Sequence, residues 1–199
     1  MAAMTVDPAK VHEFRDEQAF YDWLGKHHDK VDELWIKIHK VGSGLVSITP
    51  KEAIDVVLCW GWIDGLRKGL DDTSYLQRYT PRRPRSIWSQ INVANVARLI
   101  ESGRMTPHGL KEVEAAQADG RWLRAYGSGK GMKIPDDLQA AIDAEPKARA
   151  MLARLSEQNR FALAWRVHNM KTPAGRQRKI AAFVEMLKRG ETTYPQTRR

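Results

Sequence analysis

Residues Cys59–Ser89 read CWGWIDGLRKGLDDTSYLQRYTPRRPRSIWS, and the fold turns on this stretch. From Trp62 to Arg67, Trp62, Asp64 and Leu66 share one face of an extended chain, and Ile63 and Arg67 share the other. Gly69-Leu70-Asp71-Asp72 supplies a turn. Ser74–Thr80 then returns with Tyr75, Gln77 and Tyr79 opposing Leu76, Arg78 and Thr80. The pattern predicts an antiparallel hairpin. Gly65 inside its first strand marks a bulge or a close backbone approach. Asp64 is a carboxylate beside an aromatic layer and needs a partner, either Arg78 or an arginine of the following loop.

That loop, Thr80-Pro81-Arg82-Arg83-Pro84-Arg85-Ser86, is the sharpest local signal in the chain. Its prolines stiffen the backbone and hold it extended. Arginines on such a loop project at little ordering cost, and their planar forks suit phosphate or carboxylate. Ser86 is expected to cap the next helix, whose first N–H groups add anion donors. Trp88 beside them offers a face for a base or for an arginine. The candidate ligand-binding set is therefore Trp62, Asp64, Arg67, Arg78, Arg82, Arg83, Arg85 and Trp88. The same residues also fit a solvated basic loop, or an arginine layer paired with Asp64, Asp71 and Asp72.

Upstream, Val11–Phe14 alternates as a short strand, and Asp16 can cap a helix with Phe20, Trp23, Leu24 and His27 on one face. In ELWIKIHK, Leu34, Ile36 and Ile38 point one way and Trp35, Lys37 and His39 the other, a half-buried strand. Thr49-Pro50-Lys51-Glu52 is a capping box with proline at the first helical position, and Gly61 is a C-terminal stop. Downstream, the expected helix from Ser86 turns Ile87, Ile91, Val96, Leu99 and Ile100 inward, and a second runs from Pro107 to about Ala118. YGSGKGMK, residues 126–133, reads as a linker. Helices then follow over 135–144, 146–155, 156–170 and 173–188, with a frayed end beyond Gly190. The expected organisation is an α+β domain over 1–125, a linker over 126–134, and a helical module over 135–199 docked on the first. Its sheet is small and mostly antiparallel, with helices packed on it.

The chain has 199 residues, a formal charge of +9 and seven tryptophans. Such composition excludes disorder and favours an anionic partner such as nucleic acid, phosphate or acidic lipid. The lone Cys59 cannot form an internal disulfide, which suits a reducing compartment. No apolar run approaches the roughly 20 residues of a spanning helix, and the N-terminus lacks an apolar leader core. A cytoplasmic location is expected. No cofactor fingerprint, phosphate loop, nucleophile elbow or metal-ligand spacing occurs. Gly127–Gly131 is glycine-rich but follows no strand, so it reads as linker.

The series ELWIKIHKVGSG, SITPKEAIDVVLCWGWIDGLRKGLDD, YLQRYTPRRPRSIWSQIN and LIESGRMTPHG resembles the YdeI/OmpD-associated, or bacteriocin-protection, family. The tail, LSEQNRFALAWRVHNMKTPAGRQRKIAAFVEMLKRG, is similar to that family's C-terminal helical module, with Ala162, Leu163 and Ala164 blander than its usual charge-rich repeat. The resemblance spans about residues 11–190. It implies a link to tolerance of bacteriocins and cationic antimicrobial peptides and to an outer-membrane porin, and it carries over no catalytic residues. A basic chain and a cationic peptide repel, so such a role is expected to run through an anionic intermediate or indirectly.

Three functions fit. The leading one is a non-enzymatic binding module for an anionic ligand. The second is an enzyme acting on a phosphorylated or carboxylated substrate over the hairpin, with Asp64 or His39 as general base and the arginines as a clamp. The third is a protein-interaction module whose hot spot is an exposed patch around Trp60 and Trp62.

Overall fold

The computed structural model describes residues 5–127 and 132–196. It divides the chain into two compact units, Met1–Ala125 and Tyr126–Arg199. Ser128–Gly131 of the expected linker lie outside the described residues.

In the first unit, strand β1 (Val11–His12), helix α1 (Glu17–His27), strand β2 (Leu34–His39) and helix α2 (Pro50–Cys59) precede the hairpin of β3 (Trp62–Gly69) and β4 (Ser74–Pro81). The sheet order is β1-β2-β4-β3. β1 runs parallel to β2, and β4 is antiparallel to both β2 and β3. The hairpin thus inserts its second strand between β2 and β3, a split β-α-β arrangement closed by helix crossovers. The architecture is α+β with a small, mostly antiparallel sheet.

Local chemistry accounts for the element ends. Asp16 caps α1 by accepting from the Ala19 N–H at 2.9 Å. Thr49 and Glu52 form a reciprocal capping box on α2, with Pro50 at the first helical position. Gly61 leaves α2 with φ of 73°, a left-handed turn that a side chain would strain.

One face of the sheet carries Leu34, Ile36, Ile38 and Tyr79. They close on Phe20 and Leu24 of α1 and on Ala53, Val56 and Val57 of α2. A second core lies where α2 meets α3 (Gln90–Glu101) and α4 (Pro107–Ala118), around Leu58, Cys59, Trp88, Val96, Leu99 and Val113. Burial there pushes the Cys59 thiol up to about 11.

The second unit holds α5 (Asp136–Asp143), α6 (Pro146–Ala153), α7 (Glu157–His168) and α8 (Pro173–Lys188). They enclose their own core, with Leu138, Ile142, Leu152, Leu163, Val167, Phe183 and Leu187 inside.

Three local expectations need correction. The helix after the hairpin is capped by Ser89, whose Oγ accepts from the Asn92 N–H, and not by Ser86. Residues 83–86 form a tight turn instead, the Ser86 N–H donating to the Arg83 carbonyl. The helix therefore starts later and in a different phase. Val96 and Leu99 are buried, but Ile91 and Ile100 face outward. Finally, the end of the chain is not frayed through Gln196. The Asn159 side chain, fully buried, donates to the Tyr194 carbonyl and the Gln196 Oε1, and the Gln196 amide donates to the Arg154 carbonyl.

Candidate functional site

The bulge expected at Gly65 is present, between Asp64 and Arg67. It is held from below by one buried side chain. Gln77 Nε2 donates to the carbonyls of Gly65 and Leu66, and its Oε1 accepts from Arg67 Nε at 3.1 Å. The extra residue rephases the strand, so Arg67 lies opposite Gln77 and on the same face as Asp64 rather than on the other. There the Arg67 guanidinium sits 4.3 Å from the Tyr75 ring centroid.

Asp64 pairs across the sheet with Tyr79 and is exposed. Arg78, one of the two partners considered for Asp64, does not pair with it, because Arg78 alternates with Tyr79 and points to the opposite face. Arg78 Nε instead donates to Glu33 at 2.6 Å, and Lys10 approaches the same carboxylate at 2.9 Å. Hydrogen bonds from Lys10 and then Arg78 hold Glu33 below the usual carboxylate range.

The loop after β4 is built around an inward arginine. Arg82 is 6% exposed, and its guanidinium lies 3.5 Å from the centroid of the Trp88 ring. Its Nη1 donates to the Ile87 carbonyl at 3.4 Å, and its backbone N–H donates to the Gly61 carbonyl. Trp88 is itself buried and meets Trp122 edge-on at 4.9 Å. From outside, Arg121 Nη1 donates to the Ser86 carbonyl at 2.7 Å while its Nε pairs with Asp119 at 2.6 Å. The loop is clamped from both sides.

Two cations remain on its outer surface. Arg83 and Arg85 are exposed, and Arg85 is, among the described residues, the non-glycine residue with a left-handed backbone, φ 68°. That conformation costs about 1–2 kcal/mol for an L-residue with a Cβ. The loop thus displays an arginine at an unfavourable backbone geometry, fixed by its two clamps.

The eight residues of the candidate set therefore do not form one surface. Trp62 is part of the sheet core and Trp88 part of the helix core, so neither offers a ring face to a ligand. Arg82 faces inward. Burial of Trp62 also removes it from the expected aromatic contact patch, and Trp60 is tilted against Tyr21 and His28 rather than free. Arg67 and Arg78 are engaged by their neighbours on opposite faces of the sheet. Asp64, Arg83 and Arg85 face outward. His39 and Asp64, the alternative general bases, lie opposite Ser74 and Tyr79, five residues apart on β4 and so roughly 17 Å along the strand. They do not converge.

Arg121 was not legible as a site residue. It lies in ADGRWLR, residues 118–124, and no spacing in the sequence ties it to a carbonyl 35 residues earlier. In the second unit several basic side chains serve helix ends and ion pairs. Arg160 donates to the Leu152 carbonyl, Arg176 to Asp137 and to the Val167 carbonyl, and Lys188 to Glu185. Among the described residues, no three His, Cys, Asp or Glu side chains gather as a metal site, and no helix is long and apolar enough to cross a membrane.

The chain is thus an α+β sheet domain carrying a clamped basic loop, followed by a compact helical unit. Residues 12–112, half of its length, match the family model described as a domain of unknown function (DUF8412), and the chain belongs to that family. Residues 131–190 match the model described as Bacteriocin-protection, YdeI or OmpD-Associated. The resemblance to bacteriocin-protection proteins therefore rests on the helical unit, while the sheet domain matches a different model. No curated protein and no solved structure matches the chain.

Proposed function

We propose that this protein is a cytoplasmic binding module for an anionic ligand, contributing to tolerance of antimicrobial peptides or related stress. The observation that carries the reading is the loop 82–88. Arg82 on Trp88 and Arg121 on the Ser86 carbonyl clamp it, and the clamp turns Arg83 and Arg85 outward. A cation on a clamped loop binds an anion without first losing loop entropy, which raises affinity per contact. Arginine forks suit phosphate or carboxylate oxygens. The match of residues 131–190 to bacteriocin-protection proteins supports the physiological half of the reading.

The test is a titration of the full chain with short DNA, RNA and inorganic polyphosphate at low and moderate salt. Wild type is expected to bind with a steep salt dependence. Arg83→Ala/Arg85→Ala is expected to weaken binding and to reduce the salt slope by about one to two. Equal affinity and slope in the double variant would remove the reading.

A further inference from the structure

The corner that carries the basic loop also carries an aliphatic side chain with nothing over it. Leu123 is 91% exposed. It lies in the turn after α4, between Trp122, which packs edge-on against Trp88, and Arg124. The hydrogen bond from Arg121 to the Ser86 carbonyl ties this turn directly to the loop. Together the segments 81–89 and 119–125 contain Arg82, Arg83, Arg85, Arg121 and Arg124, and Asp119 is their one carboxylate. Asp119 is already taken by Arg121.

A leucine lifted clear of its own core, on a turn tied to an arginine-rich loop, matches a particular kind of target. Nucleic acid or free polyphosphate would use the arginines and leave Leu123 in water. A bilayer of anionic phospholipid uses both: arginine forks take the headgroup phosphates, and the leucine enters the acyl boundary. The feature is a protrusion on a turn rather than a groove, so it suits a fluid surface that closes around it. A second cluster of exposed aliphatic side chains, Val41, Leu45, Val46 and Leu70, differs in charge. Lys40 bonds there to the carbonyls of Asp71 and Asp72, so acidic and basic groups are mixed.

Building on the anion-binding reading, we infer that the ligand of this corner is the surface of an anionic phospholipid bilayer, with Arg83 and Arg85 at the phosphates and Leu123 inserted. Attachment is peripheral and reversible, because one leucine and a few cations give only modest affinity.

The experiment is co-sedimentation of the full chain with vesicles of phosphatidylcholine, and of phosphatidylcholine mixed with phosphatidylglycerol. Soluble polyphosphate binding is measured in parallel. The mixed vesicles are expected to bind the protein and the neutral ones to leave it in solution. Leu123→Ser is expected to lower vesicle partitioning about tenfold and leave polyphosphate affinity unchanged. Arg83→Ala/Arg85→Ala is expected to lower both. Polyphosphate binding without vesicle binding, or vesicle binding indifferent to Leu123→Ser, overturns the membrane inference and leaves the anion-binding reading standing. Failure to bind either overturns both. As a second readout, Leu123→Cys can carry a polarity-sensitive fluorophore, since Cys59 is buried. Its emission is expected to shift to the blue on mixed vesicles, and an unshifted emission on bound protein counts against insertion.

Discussion

The Thr106 hydroxyl donates to the backbone carbonyl of Cys59 at 2.6 Å while accepting from the Gly109 N–H at 3.3 Å. One side chain therefore caps the start of α4 and satisfies a carbonyl at the end of α2. The two helices meet so closely that a Cβ on Gly109 would fall 2.3 Å from the Cys59 oxygen. This junction closes the second core of the sheet domain. It also sets where α4 ends, and so where Arg121 reaches the basic loop.

Two substitutions test that junction. Thr106→Val removes the cap and the hydroxyl bond to the Cys59 carbonyl, which keeps only the Thr106 N–H at 3.2 Å, and is expected to destabilise the sheet domain by roughly 1–2 kcal/mol. Gly109→Ala forces the helices apart and is expected to cost at least as much. Urea midpoints followed by tryptophan fluorescence check both. A wild-type midpoint for Gly109→Ala would mean the contact is looser than described.

The three arginines of the loop are expected to separate by role. Arg82→Ala takes a buried cation off the Trp88 face and opens a gap, a loss of roughly 2–3 kcal/mol. Arg83→Ala and Arg85→Ala touch only solvent and should stay within about 0.5 kcal/mol of wild type. Arg85→Gly relieves the left-handed backbone, so it should hold or raise the midpoint while weakening anion binding. Thermal melts of the four variants, set beside polyphosphate titrations, resolve stability from binding.

Asp71 locks the hairpin turn. Its Oδ1 accepts from the N–H groups of Thr73 and Ser74 at 2.8 and 2.7 Å, and its Oδ2 from the Ser74 hydroxyl at 2.7 Å. The hydroxyl bonds of Ser74 and Thr73, with the Thr73 N–H, hold its carboxyl far below the usual range. A folded-state value below the unfolded one stabilises at every pH above the unfolded value of about 3.9, and the gain is lost as pH falls toward the folded value. Asp71→Ala should therefore melt below wild type at neutral pH. The gap should stay constant down to about pH 4 and narrow beneath it. A gap independent of pH in acid would show that the turn does not depend on the charge.

Asn159 straps the end of the chain across the start of α7. Besides its bonds to Tyr194 and Gln196, its Oδ1 accepts from the Tyr194 N–H at 2.9 Å. Asn159→Ala takes the partner from the Tyr194 N–H, while the Tyr194 carbonyl keeps the Thr192 hydroxyl and Gln196 Oε1 keeps the Ser156 N–H, and is expected to cost about 1–3 kcal/mol. Amide exchange should quicken at Tyr194 and along the first turn of α7. Unchanged protection at Tyr194 would assign the strap to other contacts.

Much of the secondary structure was legible because its causes are local. Asp16, the Thr49–Glu52 box, Thr106, Ser156 and Thr172 each accept from an N–H three residues away, so a short window of sequence contains the whole interaction. The alternation of Leu34–His39 and the glycine at position 65 likewise declared a strand and a bulge. Ser86 misled because it resembles a cap as well as Ser89 does. What excludes it is the tight turn over 83–86, together with Arg82 drawing Trp88 into the core before the helix can begin.

The sequence by itself determined the hairpin, the capped helices, the α+β class and a dense run of arginines after β4. Only the tertiary structure decided which arginine is which. Arg82 turns inward because the buried Trp88 ring offers its guanidinium a face, and Arg78 pairs with Glu33, 45 residues away, because strand alternation aims it there. Arg83 and Arg85 remain outside because Arg121, brought in from the end of α4, holds the loop at Ser86. Charge and spacing along a chain report which groups are available. Which face of the backbone each occupies is set by contacts between residues far apart in sequence, and those follow from how the helices and strands of the sheet domain pack.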